Sequence, residues 1–107
     1  MQAVLINTEE APNKWWAAQD ARMRNETNKT HYPLEIQRQV SRMLSVMDML
    51  YSAQGIYDAY GKKGVSIKIN KAVIRDRKNL RALEADWAKA GVTKKMSAQG
   101  VIYRIAI

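Results

Sequence analysis

Cysteine and phenylalanine are both absent from the 107 residues, and the chain has one histidine, two prolines and five glycines. Without cysteine there are no disulfides, no zinc–thiolate centres and no thiol nucleophile. The single histidine, His31, lies in a polar stretch beside Tyr32-Pro33, which leaves no histidine pair for a metal and no Ser/His/Asp set. The glycines are scattered and form no phosphate loop. No cofactor and no metal are therefore expected. The most apolar stretch, 43–60, is interrupted by Asp48, Gln54 and Asp58, so no membrane span is expected. The opening MQAVLIN has no basic residue ahead of its four-residue apolar run and does not read as a secretory leader. A cytoplasmic location is the expectation.

What is present is enough for a core. Apolar residues make up 47% of the chain, which argues against wholesale disorder and for one domain over 1–107. Six methionines, five tyrosines and three tryptophans take the place of phenylalanine. Charge is the most uneven feature. Residues 1–32 carry four basic and four acidic side chains, and 33–60 carry two and three. Residues 61–107 carry twelve basic and three acidic, which accounts for the net charge of +8. A neutral half for packing and a basic half for a polyanion is the natural reading.

Periodicity predicts an α+β fold of three helices, a short N-terminal strand and a small antiparallel sheet. QAVLIN (2–7) reads as a strand, and 12–24 as a helix with Pro12 in its first turn. NETNKTHY (25–32) reads as a polar loop whose two adjacent sequons carry no further meaning. From Pro33, Ile36, Val40, Met43, Met47 and Leu50 recur at steps of four and three, and the helix is expected either to end near Gly55 or to run on, weakened there, to Tyr60. Leu44, Val46 and Tyr51 widen that stripe. Met43, Met47, Leu50 and Tyr51 are accordingly expected to meet a second copy in a homodimer. Tyr57 and Tyr60 fall on the same helix as core or dimer contacts. VSIKIN (65–70) alternates as a half-buried strand with Lys68 outward. Asn70 is placed as the N-cap of a third helix over 71–90, which ends at Gly91. The remainder reads as a hairpin, with VTKKM and VIYRIAI flanking a turn at 97–100.

The phrase SAQG occurs twice, at 52–55 and 97–100. With one copy expected in a helix and the other between strands, the echo reads as coincidence. RKNLRALEADWAKAGVT followed by QGVIYRIAI, a basic helix and then a hairpin, resembles the C-terminal half of winged-helix DNA-binding domains. VSIKIN stands where that family has a further helix. The resemblance implies a recognition helix in a major groove with a wing beside it, and DNA is preferred to RNA on that ground. The expected nucleic-acid contacts are Lys62, Lys63, Lys68, Lys71, Arg75, Arg77, Lys78, Arg81, Lys94 and Lys95. Of these, Arg75, Arg77 and Arg81 are the candidates for base reading, because a guanidinium fork binds guanine bidentately.

Other readings compete. A small methionine-rich chain with a basic face also suits an inhibitor or adaptor of the phage or plasmid type that grips an acidic protein. Asp76-x-Lys78 matches half of a metal-dependent nuclease pattern, but residues two apart on a helix diverge. A small RNase-type toxin is the third reading, and no enzymatic activity is expected. Trp15-Trp16 could stack on bases or anchor a partner, against the simpler expectation of one buried ring and one partly exposed.

Overall fold

A computed structural model describes the backbone of residues 2–107 and the side chains of 15–107. The chain is α+β, as its periodicity predicts, in the order α1 (Gln2–Thr30), α2 (Leu34–Leu50), β1 (Tyr51–Ser52), β2 (Gly55–Tyr60), β3 (Gly64–Asn70), β4 (Val73–Ile74), α3 (Arg77–Lys89), β5 (Val92–Ser97) and β6 (Gly100–Ala106). Four strands form an antiparallel sheet in the order β2-β3-β6-β5, and β1 pairs with β4 in a two-stranded ribbon.

The sheet has one packed face and one open face. Register places Tyr60, Val65, Ile105 and Val92 in one row, and Asp58, Ile67, Tyr103 and Lys94 in the next. Directly opposed residues share a face. Val65, Ile67, Ile69, Val101, Tyr103 and Ile105 are buried in one cluster with Val40, Met43, Met47 and Leu50 of α2 and Leu80 of α3. The two helices therefore cover this face. The alternate residues of the same strands turn to the other face, where Tyr57, Lys68, Thr93, Lys95 and Arg104 are exposed.

The methionine stripe is thus spent inside the chain. Met43, Met47, Leu50 and Tyr51 are buried, Met47 fully, so they form the core and not the contacts of a homodimer. The helix also stops at Leu50, short of both Gly55 and Tyr60. Tyr51 is already extended, and the residues from Gly55 to Tyr60 form an edge strand.

Two more expectations give way at the N-terminal end. Residues 2–7 lie in α1 and not in a strand, and 25–30 continue the same helix where a loop was expected. The two sequon asparagines have a packing role. Asn25 accepts from the Tyr60 backbone N–H (2.7 Å) and donates to the Asp58 carbonyl (3.1 Å). Asn28 donates to the Tyr60 carbonyl (2.9 Å). These amides satisfy the outer backbone groups of β2 and close one edge of the sheet.

The repeated SAQG is an architectural echo. Gly55 and Gly100 both pair with Asn70, one from each side of β3, and each opens a strand antiparallel to it. At Gly100 the backbone is left-handed (φ +156°), and an added Cβ would overlap the Ile69 carbonyl. At Gly55 the atoms nearest an added Cβ all belong to the side chain of Tyr57.

The helix expected over 71–90 is shorter. Lys71 turns the chain with positive φ (51°), β4 follows, and α3 begins only at Arg77. Its N-cap is Asp76, not Asn70: the Asp76 carboxylate accepts from the Asn79 backbone (3.1 Å) and side-chain amide (2.6 Å). That half of the nuclease-like pair is a helix cap.

α3 is fixed to the sheet by a polar chain. The hydroxyls of Tyr51 and Tyr103 lie 2.7 Å apart, Tyr103 donates to Glu84 (2.6 Å), and Glu84 pairs with Lys94 (2.7 Å). Trp87 packs edge-on against the Tyr103 ring at 5.5 Å. Burial, and then the bonds to Glu84 and Tyr51, push the Tyr103 hydroxyl far above the usual phenol range.

Candidate nucleic-acid interface

Alternation decides which side of the sheet each cation occupies. Lys68 on β3, Lys95 on β5 and Arg104 on β6 all turn to the open face. One row across the four strands reads Tyr57, Lys68, Ile102, Lys95, and the row beside it reads Ala59, Ser66, Arg104, Thr93. Strands about 4.8 Å apart give a four-strand row a width of about 14 Å. The third row, Gly55, Asn70, Gly100 and Ser97, carries little side-chain bulk. None of these residues is acidic. The turn from β2 to β3 adds Lys62 and Lys63 at one end.

Tyr57 gives the face an aromatic surface. It is 58% exposed, whereas Tyr51, Tyr60 and Tyr103 are buried. Gly55 stands two residues before it on the same side of the strand, and the Tyr57 ring occupies the space a Cβ at Gly55 would fill. The ring therefore leans back along the strand over Gly55 while the residue stays exposed.

The ten cations expected to act together do not share a surface. Lys62, Lys63, Lys68 and Lys95 belong to the open face and its turn. Arg77, Lys78 and Arg81 are exposed on α3, on the opposite layer. Lys71 lies in the turn after β3, its backbone N–H donating to Gln99, and Arg75 follows β4 with its N–H on the Leu50 carbonyl. Lys94 points to the helix side, where it is bound to Glu84 beneath α3, 5.8 Å from the Tyr103 ring centre. It is the one cation among the described residues in an ion pair, so the other nine keep their charge for another partner.

Two residues of the face were not found in the sequence. Arg104 alternates with buried Val101, Tyr103 and Ile105, and that pattern alone marks it as outward. Placing it beside Lys68 requires the β3–β6 register. Tyr57 was hidden by the expectation of a continuous helix. Trp15 and Trp16, 55% and 59% exposed, stand edge to face at 4.7 Å on α1, and neither is in the core.

No helix among the described residues is long and apolar enough to cross a membrane, and no group of three potential metal ligands gathers among them. No family model, curated protein or solved structure matches the chain.

Proposed function

We propose that this protein binds single-stranded nucleic acid across the open face of its sheet. The observation that carries the reading is the exposed Tyr57 ring leaning over Gly55, beside Lys68, Lys95 and Arg104 in strand rows that hold no acidic residue. A flat aromatic ring suits an unpaired base, because every base has a π-face to stack. Unpaired cations along the strands suit the phosphates that join the bases. Single-stranded DNA and RNA share both features. The reading is of a binding protein and not of an enzyme.

A second reading keeps the duplex. On the outer side of α3, Lys78, Arg81 and Lys89 are exposed around Ala82 and Ala85, small residues that would let the helix approach a groove closely.

Fluorescence anisotropy with labelled single-stranded and duplex oligonucleotides separates the two readings. Tighter binding of the single strand, weakened in Tyr57→Ala and kept in Tyr57→Phe, is the expected result. Tighter binding of the duplex, unaffected by Tyr57→Ala, would transfer the function to α3. Binding to neither would leave the basic surface to an acidic protein partner.

A further inference from the structure

The open face ends in a cavity of about 420 Å³ at the β2–β3 turn, lined by Gly61, Lys62, Lys63, Gly64, Ser66 and Arg104 together with Ala59 and Tyr60. Lys62, Lys63 and Arg104 line it, no side-chain carboxylate does, and none of the three is in an ion pair among the described residues. A cavity with that lining has the chemistry of an anion site.

Its walls are held in place from outside. Gly61 donates its backbone N–H to the Gly64 carbonyl (2.9 Å), and Ile107 donates to the Lys63 carbonyl (3.2 Å). Tyr32, just past the end of α1, donates to the carbonyl of Gly64 (2.9 Å) and contacts that of Gly61. Arg104 reaches the Lys63 carbonyl (3.4 Å) and Ser66 Oγ (3.5 Å) with two nitrogens, which orients the guanidinium over the cavity. Its remaining donors are uncommitted. Gly64 is left-handed (φ +147°), and an added Cβ would overlap the Ile105 carbonyl, so a side chain cannot be added there without moving β6. A turn fixed in this way loses little freedom when an anion binds.

The position of the cavity suggests which phosphate it takes. Along the strands, Lys68, then Arg104, then Lys62 and Lys63 mark a path off the sheet at this end. Beyond the turn stands the end of α1, where His31, Tyr32 and Asn28 line an adjoining cavity that shares Gly61 and Lys62. A strand laid along the face meets this wall. We infer that the cavity is the site of a terminal phosphate monoester, the end group of a nucleic-acid strand. Such a group carries close to two negative charges near neutral pH, against one for a phosphodiester, and so matches a lining with three cationic residues better than an internal phosphate does.

The inference rests on the single-strand reading above, and two measurements keep them apart. In the first, ¹⁵N-labelled full-length protein is titrated with inorganic phosphate alone. Saturable shifts confined to the amides of 61–64 and 66 are expected, abolished by Arg104→Ala with the rest of the spectrum intact. Absent or linear, unsaturable shifts would overturn the site even if oligonucleotides bind. In the second, one oligonucleotide is compared with a 5′-phosphate, a 3′-phosphate, or hydroxyls at both ends. One of the phosphorylated forms is expected to bind about tenfold tighter, as one added charge-assisted contact would give. That preference should vanish in Lys63→Ala and Arg104→Ala but persist in Tyr57→Ala. Equal affinity of all three forms would refute the terminal-phosphate role and leave the single-strand reading standing. Phosphate shifts without any oligonucleotide binding would refute the single-strand reading, and the end-group role with it.

Discussion

Tyr57 and Tyr103 lie on strands of the same sheet and turn to opposite faces. Tyr103 is buried, bonded to Tyr51 and Glu84, and serves to anchor α3. Tyr103→Phe should lower stability by about 1–3 kcal/mol, since it leaves the Glu84 carboxylate and the Tyr51 hydroxyl short of a partner. Denaturant unfolding measures this, and oligonucleotide affinity should not change. Tyr57 should show the reverse pattern. Tyr57→Ala should weaken single-strand binding by about 1–3 kcal/mol with the fold intact. Gly55→Ala is the sharper variant, because its φ is open to any residue while its methyl would lift the Tyr57 ring off the strand. It should reduce affinity without touching the ring itself. The neighbouring lysines of β5 divide in the same way. Lys95→Ala should weaken binding, whereas Lys94→Ala should cost at most about 1 kcal/mol of stability, the scale of a partly exposed ion pair, and leave binding unchanged.

At the scale of elements, the sequence was readable where one periodicity acted alone. Ile36 to Leu50 follows the helical repeat, and α2 is there. VSIKIN and VIYRIAI alternate cleanly, and β3 and β6 are there. The reading failed where Asp58 stood between Ile56 and Tyr60 on the inward side of β2, which hid the alternation and let the preceding helix seem to continue. It failed again at 71–76, where a lysine in the left-handed region and a two-residue strand leave no composition signal. The site was legible in part for the same reason. The basic half was visible as charge, but the side of the sheet on which each lysine stands depends on register, a long-range property. The two closures added by the structure are testable. Asn25→Ala should destabilise the protein by about 1–3 kcal/mol by exposing the paired groups of β2, with increased amide exchange at Tyr60 as its signature. Asp76→Ala should cost about 1 kcal/mol through loss of the α3 cap.

At the scale of the whole molecule, two free sheet edges are dealt with differently. The β2 edge is closed by the asparagines of α1. The β5 edge carries Lys94 and Lys95 in adjacent positions, which discourages pairing with another copy of itself. Alkaline stability reports on the packed face. Burial, aided by Asp58, pushes the Tyr60 hydroxyl up to about 12, so above pH 10 the unfolded chain ionises this phenol and the folded chain does not. Stability should therefore fall as pH rises from about 10 to 12, and Tyr60→Phe should show a smaller fall over the same range. Binding by the open face has its own signature in salt. For a strand that ends in hydroxyls, if Lys62, Lys63, Lys68, Lys95 and Arg104 each meet one internal phosphate, log K should fall against log salt with a slope of about −3.5.

The central claim is that the open side of the sheet, and not α3, is the binding surface. It is tested most directly by comparing two triple variants, Lys68→Ala/Lys95→Ala/Arg104→Ala and Arg77→Ala/Lys78→Ala/Arg81→Ala, which remove equal charge from opposite layers. Single-strand affinity across a salt series should collapse in the first, with the slope reduced by about 2, and stay close to the parent's in the second. Equal losses in both would mean that net charge alone attracts the strand. A loss confined to the α3 variant would contradict the account outright.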